Sequence, residues 1–435
     1  MALESYFEPV EGGDIAFTVE APKLKFGVGS LREVGEDAKA LGMTRIALYT
    51  DERVAKLEAV EQAVKAVRAA GLSVELFDQV EVEPTDRSFK AGAAFAKEGK
   101  FDGFISVGGG SAMDTAKASN LYATYPAEFL TYVNAPVGEA RPVPGPLRPH
   151  IACPTTFGTA SETTGIAIFD MLEMGAKTGI AHRLLRPSLG VLDPSTLMTL
   201  PKPVVAANGF DVFSHAIESL TARPFSHRAA PATPDKRPLL QGSNPYSDLA
   251  CVEAIRLVGE NIERAIKLPD DLSAREPLMF AGMLAGIGFG NAGCHVPHAM
   301  AYAVAGLVRD YRPEGWPNDH AMVPHGISVI LNAPAVFRSV ASACPDRHLR
   351  AAAAFGADVR NVPEERAGEL LADRVIELMR RSEVPNGLQG VGYTDDDIEA
   401  LTDRTVPQAR LLVNSPCPVG RDELRDLFKA AMRYW

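Results

Sequence analysis

The chain has 435 residues, with 44 Lys+Arg against 55 Asp+Glu, a net charge of −11 and 46% hydrophobic residues. This composition excludes wholesale disorder, fibrous repeats and a disulfide-stapled mini-protein, and its acidic balance disfavours nucleic acid and membrane surfaces as partners. The length predicts two domains or one large composite. Five scattered cysteines without a C-x-x-C pair, together with an acidic N-terminal segment, predict reduced thiols and a cytoplasmic location.

Short apolar strands alternate with amphipathic helices over the first 200 residues. Helices are predicted between the strands, at residues 54–70 and 88–97. The predicted strands are residues 45–49, 73–77, 103–107, 150–153, 165–169 and 189–192. This alternation is typical of a parallel sheet with crossover helices. We therefore predict an α/β N-terminal domain over residues 1–200.

The pattern changes after residue 200 to long helical periodicity rich in Ala, Leu and Ile, which predicts an all-α C-terminal domain over residues 201–435. Residues 223–246, rich in Pro, Arg, Lys and His, are predicted to form a long loop. Residues 277–308 contain no Asp, Glu, Lys or Arg and are long enough to cross a bilayer. Their six glycines and two prolines favour a buried helix instead.

A glycine run, Gly108-Gly109-Gly110-Ser111, lies between a predicted strand and a predicted helix. Glycines let backbone N–H groups approach a pyrophosphate, and a helix N-terminus favours negative charge, so we predict a phosphate site; a tight turn with a good cap is the competing interpretation. Lys117, further along the helix, is expected to reach back toward the sugar or phosphates. The run differs from G-x-G-x-x-G and does not follow the first strand, so an ordinary Rossmann motif is excluded.

Two further segments follow strands and carry polar side chains. Asp51 ends the strand at 45–49, where its carboxylate can bind the ribose hydroxyls of NAD or, alternatively, cap the following helix. Residues 154–164 supply six hydroxyl groups that can bind a nicotinamide ribose or diphosphate. Such Thr/Ser/Gly clusters also mark ordinary turns.

A third group of residues has the chemistry of a metal site. Asp211 and His215 are spaced i, i+4 and project from one helix face, and His298 and His325 follow in the same predicted domain. One carboxylate and three imidazoles suit a catalytic divalent metal such as Fe²⁺ or Zn²⁺. Any one of these histidines is more often a core residue, and the sequence does not exclude an exchange with His295 or His320.

Taken together, the runs GGGSAMDTAK, PTTFGTASETTG, GFDVFSHAIES and HAMAY…VPHG resemble the iron-containing (group III) alcohol dehydrogenase family. The runs EVEPTDRSFKAG, LQGSNPYSD and GIGFGNAG resemble its hydroxyacid–oxoacid transhydrogenase branch. The resemblance implies a dehydroquinate-synthase-like fold, with an α/β N-terminal dinucleotide-binding domain and an all-α C-terminal metal-binding domain. It also implies four metal ligands, Asp211, His215, His298 and His325. The NAD-site residues it implies are Asp51, Gly108, Gly109, Gly110, Ser111, Asp114, Lys117, Thr155, Thr156 and Ser161.

Three positions depart from the usual family pattern. Tyr302 stands where many members have a second histidine, although the transhydrogenase branch shares the tyrosine, and we expect its hydroxyl to take part in proton transfer. Phe157 and Ala160 replace small residues, with Ala160 in place of a glycine. These two changes are expected to narrow the cofactor channel or to alter the backbone near the nicotinamide.

The function implied by the resemblance is a metal-dependent oxidoreductase that transfers hydride from a 4-hydroxybutyrate-like hydroxyacid to NAD and then to a 2-oxoglutarate-like oxoacid. The alternative is a conventional NAD-dependent alcohol dehydrogenase that releases NADH; a lyase like dehydroquinate synthase fits the motifs less well. Fe²⁺ is the expected metal, with Zn²⁺ as the alternative. The chain is expected to form a homo-oligomer, namely a dimer.

Carboxylate substrates need cationic partners, and the loop at 223–246 is rich in them. Its candidates are Arg223, His227, Arg228, Lys236 and Arg237. Arg183 and Arg186 are alternatives, and a solvated charge patch is the competing interpretation of the loop.

Overall fold

The computed structural model describes Tyr6, residues 10–316 and residues 320–435. The chain divides into two compact units. One unit is Ala21–Thr199, and the other combines the described residues through Glu20 with Leu200–Trp435.

The first unit is built on a parallel sheet of six strands. The strands are β1 (Lys23–Phe26), β2 (Arg45–Tyr49), β3 (Ser73–Phe77), β4 (Gly103–Gly108), β5 (His150–Pro154) and β8 (Leu189–Leu192), in the order β1-β8-β5-β4-β2-β3. β4 and β5 are buried along their whole length, as expected of central strands covered on both faces. Because all strands are parallel, their carboxyl ends meet at one edge of the sheet.

Helices connect these strands and bury their apolar faces against the sheet. They are α1 (Val34–Ala40), α2 (Glu58–Ala69), α3 (Asp86–Gly99) and α4 (Gly110–Thr124). A core cluster that includes Leu48, Val67, Ile105 and Val191 shows helix and strand residues packing together. A separate antiparallel hairpin pairs β6 (Ile166–Met171) with β7 (Ala176–Ala181). The predicted α/β architecture is confirmed, although β1 and β7 were not predicted.

The second unit is helical. Its helices are α5 (Lys202–Thr221), α6 (Pro245–Lys267), α7 (Leu272–Ala292), α8 (Val296–Gly306), α9 (His325–Ile330), α10 (Ala333–Val340), α11 (Pro345–Ala354), α12 (Ala367–Arg381), α13 (Ile398–Thr405), α14 (Ala409–Leu412) and α15 (Arg421–Ala431). The uncharged stretch forms α7 and α8, which meet at a bend of 103°. By length and composition, the described stretch His325–Ala343 would also suffice to cross a membrane, but 78% of it is buried inside the protein.

The N-terminal segment packs with the helical unit rather than with the sheet, which differs from the predicted domain boundaries. The Asp14 carboxylate binds Arg228 at 2.6 Å and Arg237 at 2.9 Å. The backbone N–H of Glu20 donates to the side-chain oxygen of Asn291 at 2.8 Å. These buried polar contacts join residues far apart in sequence, so strand and helix periodicity does not reveal them.

Candidate active site

The four predicted metal ligands converge in the helical unit. Their ligand atoms all lie within 4.8 Å of one another, and the residues are Asp211, His215, His298 and His325. Oδ1 of Asp211 lies 3.7 Å from Nε2 of His215, 3.8 Å from Nε2 of His298 and 3.7 Å from Nε2 of His325. Ligand atoms about 2.0–2.2 Å from a tetrahedral metal are separated by roughly 3.3–3.6 Å, so the cluster needs only a small contraction to hold one ion.

Local sequence explains why these side chains meet. Asp211 and His215 project from one face of α5, His298 lies in the first turn of α8, and His325 begins α9. A Cβ atom on Gly326 would stand 2.0 Å from the carbonyl oxygen of Ala207. Glycine at 326 therefore permits the close approach of α9 to α5 that brings His325 beside Asp211.

Burial differs around the cluster. Asp211, His215 and His298 are buried, and the ring of His215 stacks on Phe289 with centroids 4.0 Å apart. The His325 side chain is 25% exposed. The cluster is therefore accessible to a substrate from the side of His325, whereas apolar side chains cover its opposite side.

Glu218 contacts a histidine of the cluster on the side away from Asp211, and it is not among the predicted site residues. Its Oε1 lies 2.6 Å from Nδ1 of His298, and its Oε2 accepts the backbone N–H of His295 at 2.8 Å. Burial alone would raise the pKa of Glu218, but His298 and the His295 N–H hold it below its ordinary value. Glu218 follows Asp211 by seven residues and His215 by three, which is the spacing of one helix face; this periodicity could have identified it.

The protonation state of His298 also suits metal binding by these four residues. Nε2 of His298 is buried and makes no hydrogen bond within the described part of the chain. A carboxylate can only accept, so the contact with Glu218 places the proton on Nδ1 and leaves the Nε2 lone pair facing the cluster. Glu218 and Cys294 form a second group of potential ligands with His298. Since Glu218 occupies Nδ1, we interpret that group as support for His298.

The two histidines that the sequence did not exclude lie outside the four-residue cluster. His295 is buried, and its Nε2 pairs with the hydroxyl of Thr221 at 3.0 Å. His320 is exposed.

The glycine run and the threonine-rich segment meet at the carboxyl edge of the sheet in the first unit. β4 and β5 are neighbours, and the backbone N–H of Thr155 donates to the Gly108 carbonyl at 2.9 Å. A Cβ on Gly109 would stand 3.3 Å from Thr156, and one on Gly110 would stand 2.7 Å from Thr159. Glycine at 109 and 110 therefore permits Thr156 and Thr159 to pack closely against the N-terminus of α4.

Two other predicted cofactor residues lie at strand or helix ends near this edge. The Asp51 carboxylate accepts the backbone N–H groups of Arg53 and Val54 at 2.9 and 3.0 Å, which is the capping role that the sequence left open. The Ser111 hydroxyl accepts the backbone N–H of Glu83 at 3.2 Å.

Asp114 and Lys117 lie inside the unit, in a buried network with Ser161. The Lys117 side chain has no exposed surface, and its ammonium group donates to the Ser161 hydroxyl and to the Ile166 carbonyl at 2.8 Å. Burial raises the pKa of Asp114 and lowers that of Lys117, while their mutual attraction opposes both shifts. In this conformation Lys117 does not reach back toward the helix N-terminus as the sequence analysis expected, because the network holds its ammonium group. Its contact with a cofactor stays a prediction.

The loop arginines proposed for carboxylate binding are largely engaged elsewhere. Arg228 and Arg237 both bind the buried Asp14, while His227 and Lys236 are exposed. The Asp14 carboxylate takes up N–H donors of both Arg228 and Arg237, so the binding of a substrate by either residue stays a prediction. Arg183 and Arg186 line a cavity of about 220 Å³ in the first unit, with Arg148 and His150.

Comparison with known proteins identifies the chain's relatives. The family described as iron-containing alcohol dehydrogenase matches residues 21–194, and its C-terminal domain matches residues 239–432. The chain belongs to the iron-containing alcohol dehydrogenase family. The resemblance noted in the sequence is thereby confirmed.

Curated relatives narrow the comparison. Over 424 residues the chain is 45% identical to the mitochondrial hydroxyacid–oxoacid transhydrogenase of Rattus norvegicus, covering 97% of this chain and 91% of that protein. The mitochondrial hydroxyacid–oxoacid transhydrogenase of Xenopus tropicalis is 45% identical over 98% of this chain and 93% of its own length. Among solved structures, 1,3-propanediol oxidoreductase has a TM-score of 0.84 at 28% identity, covering 96% of this chain and 100% of that one.

The names of these relatives contradict the predicted cytoplasmic location, since both transhydrogenases are named mitochondrial. The cysteine content of the chain does not distinguish a cytoplasmic from a mitochondrial protein. Five free cysteines distinguish a reducing compartment from an oxidising one, and they do not distinguish cytosol from the mitochondrial matrix.

Proposed function

We propose that this protein is a hydroxyacid–oxoacid transhydrogenase, which oxidises a hydroxyacid such as 4-hydroxybutyrate and reduces a 2-oxoacid such as 2-oxoglutarate, with NAD as hydride carrier. The observation that carries the proposal is the convergence of Asp211, His215, His298 and His325 within 4.8 Å, in a chain 45% identical to enzymes of that name. A bound divalent metal supplies Lewis-acid stabilisation of negative charge developing on the substrate oxygen. The family favours iron as that metal, with zinc as the alternative.

The residues of the chain account for the rest of the chemistry. Asp211 and the three histidines hold the ion, with Glu218 fixing the orientation of His298. The side of the cluster at His325 is open to the substrate. Apolar packing of Phe289 against His215 excludes water from the opposite side, which strengthens electrostatic interactions at the cluster.

Tyr302 lies one helical turn after His298 on α8 and is buried. Its hydroxyl oxygen accepts a hydrogen bond from Arg410 at 3.0 Å, which leaves the hydroxyl hydrogen and one lone pair for other partners. Tyr302 can therefore accept the proton that leaves the substrate hydroxyl while passing its own proton to solvent. Oxidation of the alcohol then releases one hydride, which passes to the nicotinamide, and one proton, which leaves through Tyr302.

For the cofactor we propose that Gly108, Gly109, Gly110 and Ser111 hold the pyrophosphate at the N-terminus of α4, beside Thr155 and Thr156. Backbone N–H groups at a helix N-terminus attract phosphate, and glycine residues without side chains let a phosphate approach those N–H groups. Asp51 is proposed to bind the ribose, in addition to its capping bonds. Asp114, Lys117 and Ser161 form a buried network in the same unit, and their contact with the cofactor stays a prediction.

The decisive experiment uses metal-loaded protein from which free nucleotide has been removed. A transhydrogenase should convert 4-hydroxybutyrate and 2-oxoglutarate into succinate semialdehyde and 2-hydroxyglutarate without added NAD. The second candidate, an alcohol dehydrogenase that releases NADH, is favoured by the likeness to 1,3-propanediol oxidoreductase. It would instead require added NAD and accumulate NADH in proportion to substrate consumed, and that result would replace our proposal.

A further inference from the structure

Arg410 is a cation beside the proposed catalytic tyrosine. It is the second residue of the short helix α14. Its guanidinium group lies 3.0 Å from the Tyr302 hydroxyl oxygen, and its central carbon lies 5.9 Å from the centroid of the Tyr302 ring. The side chain is partly buried.

Within the described part of the chain, Arg410 has no carboxylate partner. Other arginines of the helical unit differ in this respect: Arg309 binds Asp397 at 2.6 Å, and Arg338 binds Glu369 at 2.9 Å. The bond to Tyr302 uses one N–H of a guanidinium that carries five. The remaining donors suit an anion from outside the chain.

The position of Arg410 relative to the metal cluster follows from helix geometry. His298 and Tyr302 are spaced i, i+4 on α8, so their Cβ atoms lie about 5–6 Å apart on one face. Nε2 of His298 faces Asp211, and Tyr302 extends to Arg410. The metal cluster and Arg410 are therefore linked through two residues one turn apart on α8, His298 and Tyr302.

We infer that Arg410 binds the carboxylate of the hydroxyacid and oxoacid substrates while their reacting oxygen lies at the cluster of Asp211 and the three histidines. This inference rests on the proposed function. A guanidinium group binds a carboxylate through two parallel N–H bonds, and the hydrogen bond to Tyr302 holds one of its nitrogen atoms in place. Arg410 is therefore a better candidate for carboxylate binding than the loop residues Arg228 and Arg237, whose guanidinium groups bind Asp14.

The test compares 4-hydroxybutyrate with 1,4-butanediol, which has the same carbon chain and a neutral hydroxyl in place of the carboxylate. Hydrogen bonds to charged groups contribute about 1.5–3 kcal/mol, so Arg410→Met should lower the acid-to-diol ratio of kcat/KM by about 10–100-fold. Arg410→Lys keeps the charge without the planar fork and should give a smaller decrease. The matched control is Arg360→Met, which removes an exposed arginine bound to Asp358 and should leave the ratio unchanged.

Two outcomes would overturn the inference. An unchanged ratio in Arg410→Met would show that the guanidinium does not recognise the carboxylate. An equal loss with both substrates, matched by Tyr302→Phe and not increased in the double variant, would show that Arg410 acts only by positioning the Tyr302 hydroxyl.

A binding measurement separates this inference from the proposed function. Calorimetric titration of metal-loaded protein with succinate, an unreactive dicarboxylate, requires no turnover. If the wild-type protein binds succinate and Arg410→Met binds it at least tenfold more weakly, the carboxylate site stands even where hydroxyacid and oxoacid fail to interconvert without added NAD. Equal binding by both proteins would refute the site whatever the enzyme's reaction.

Discussion

Oε1 of Glu218 lies 2.6 Å from Nδ1 of His298, and both groups are buried. The contact fixes the tautomer of the imidazole and aims Nε2 at Asp211, 3.8 Å away. A carboxylate behind a histidine ligand makes the histidine a better donor and holds its ring in place. Glu218 therefore belongs to the metal site although it is outside the four-residue cluster.

Glu218→Gln should weaken metal affinity by about 10–100-fold, because the amide carries no charge and holds the imidazole less firmly. The measurement is the metal content retained against increasing concentrations of a chelator. Glu253→Gln is the control, since Glu253 is on the neighbouring helix α6 and binds Arg256 at the surface. Wild-type metal retention in Glu218→Gln would contradict the role assigned to this residue.

The assignment of the histidine ligands can be tested by comparing two substitutions, one of a histidine inside the cluster and one of a histidine outside it. His215→Ala removes a ligand and should abolish stoichiometric metal binding and activity together. His295→Ala removes an equally buried imidazole that pairs with Thr221 and should retain the metal. Metal analysis and thermal unfolding of both variants without metal check that each is folded. Metal loss in His295→Ala, with retention in His215→Ala, would reverse the assignment.

Much of the fold follows from periodicity alone. The predicted strands at 45–49 and 73–77 match β2 and β3 residue for residue, because each is a short apolar run bounded by turn residues. The four-residue strand β1 has only partly buried or exposed positions and offers no comparable pattern. β7 belongs to a hairpin whose polar Lys177 and Thr178 are nevertheless buried, so its sequence gives no alternation to detect.

The candidate site was predictable where chemistry lies in short motifs and not where it depends on distant contacts. Asp211 and His215 share one helix face, so spacing alone brought them together. The segment containing Asp14 joins the helical unit through long-range ion pairs, and Arg410 reaches Tyr302 across 108 positions. A single sequence carries no signal for such pairings, since each residue is locally an ordinary polar side chain.

Ala160 has a left-handed backbone conformation, with φ of 47°, at the position where the family pattern has glycine. Left-handed geometry costs an L-residue about 1–2 kcal/mol, and glycine avoids most of this penalty at an entropic cost of about 0.5–1 kcal/mol. Ala160→Gly should therefore raise unfolding free energy by up to about 1 kcal/mol, measured in urea. Ala94→Gly, at an exposed position of α3, should lower it by about 1 kcal/mol. Destabilisation by both variants would show that Ala160 is not strained.

Asp14 offers a pH-dependent test of how the N-terminal segment is held. Its hydrogen bond with Arg237, aided by Arg228, keeps the pKa of Asp14 below its ordinary value even though burial opposes this shift. A carboxyl group with a lowered pKa stabilises the folded state above its ordinary pKa, and that contribution is lost as the pH falls through the folded pKa. At neutral pH the wild-type protein should therefore be more stable than a variant without this charge, and acidification should remove the difference in unfolding free energy.

Asp14→Asn should lower unfolding free energy by about 3–5 kcal/mol at pH 7, because it leaves two largely buried arginines without their carboxylate. Thermal midpoints of both proteins, measured from pH 7 downward, should start to approach each other below about pH 4, near the ordinary pKa of aspartate. The difference should vanish only as the pH falls through the lower pKa that Asp14 has in the folded protein. Asp358→Asn removes an exposed carboxylate bound to Arg360 and should leave the midpoint unchanged at neutral pH. A gap between Asp14→Asn and wild type that persists undiminished at low pH would mean that lost packing, rather than lost charge, causes the destabilisation.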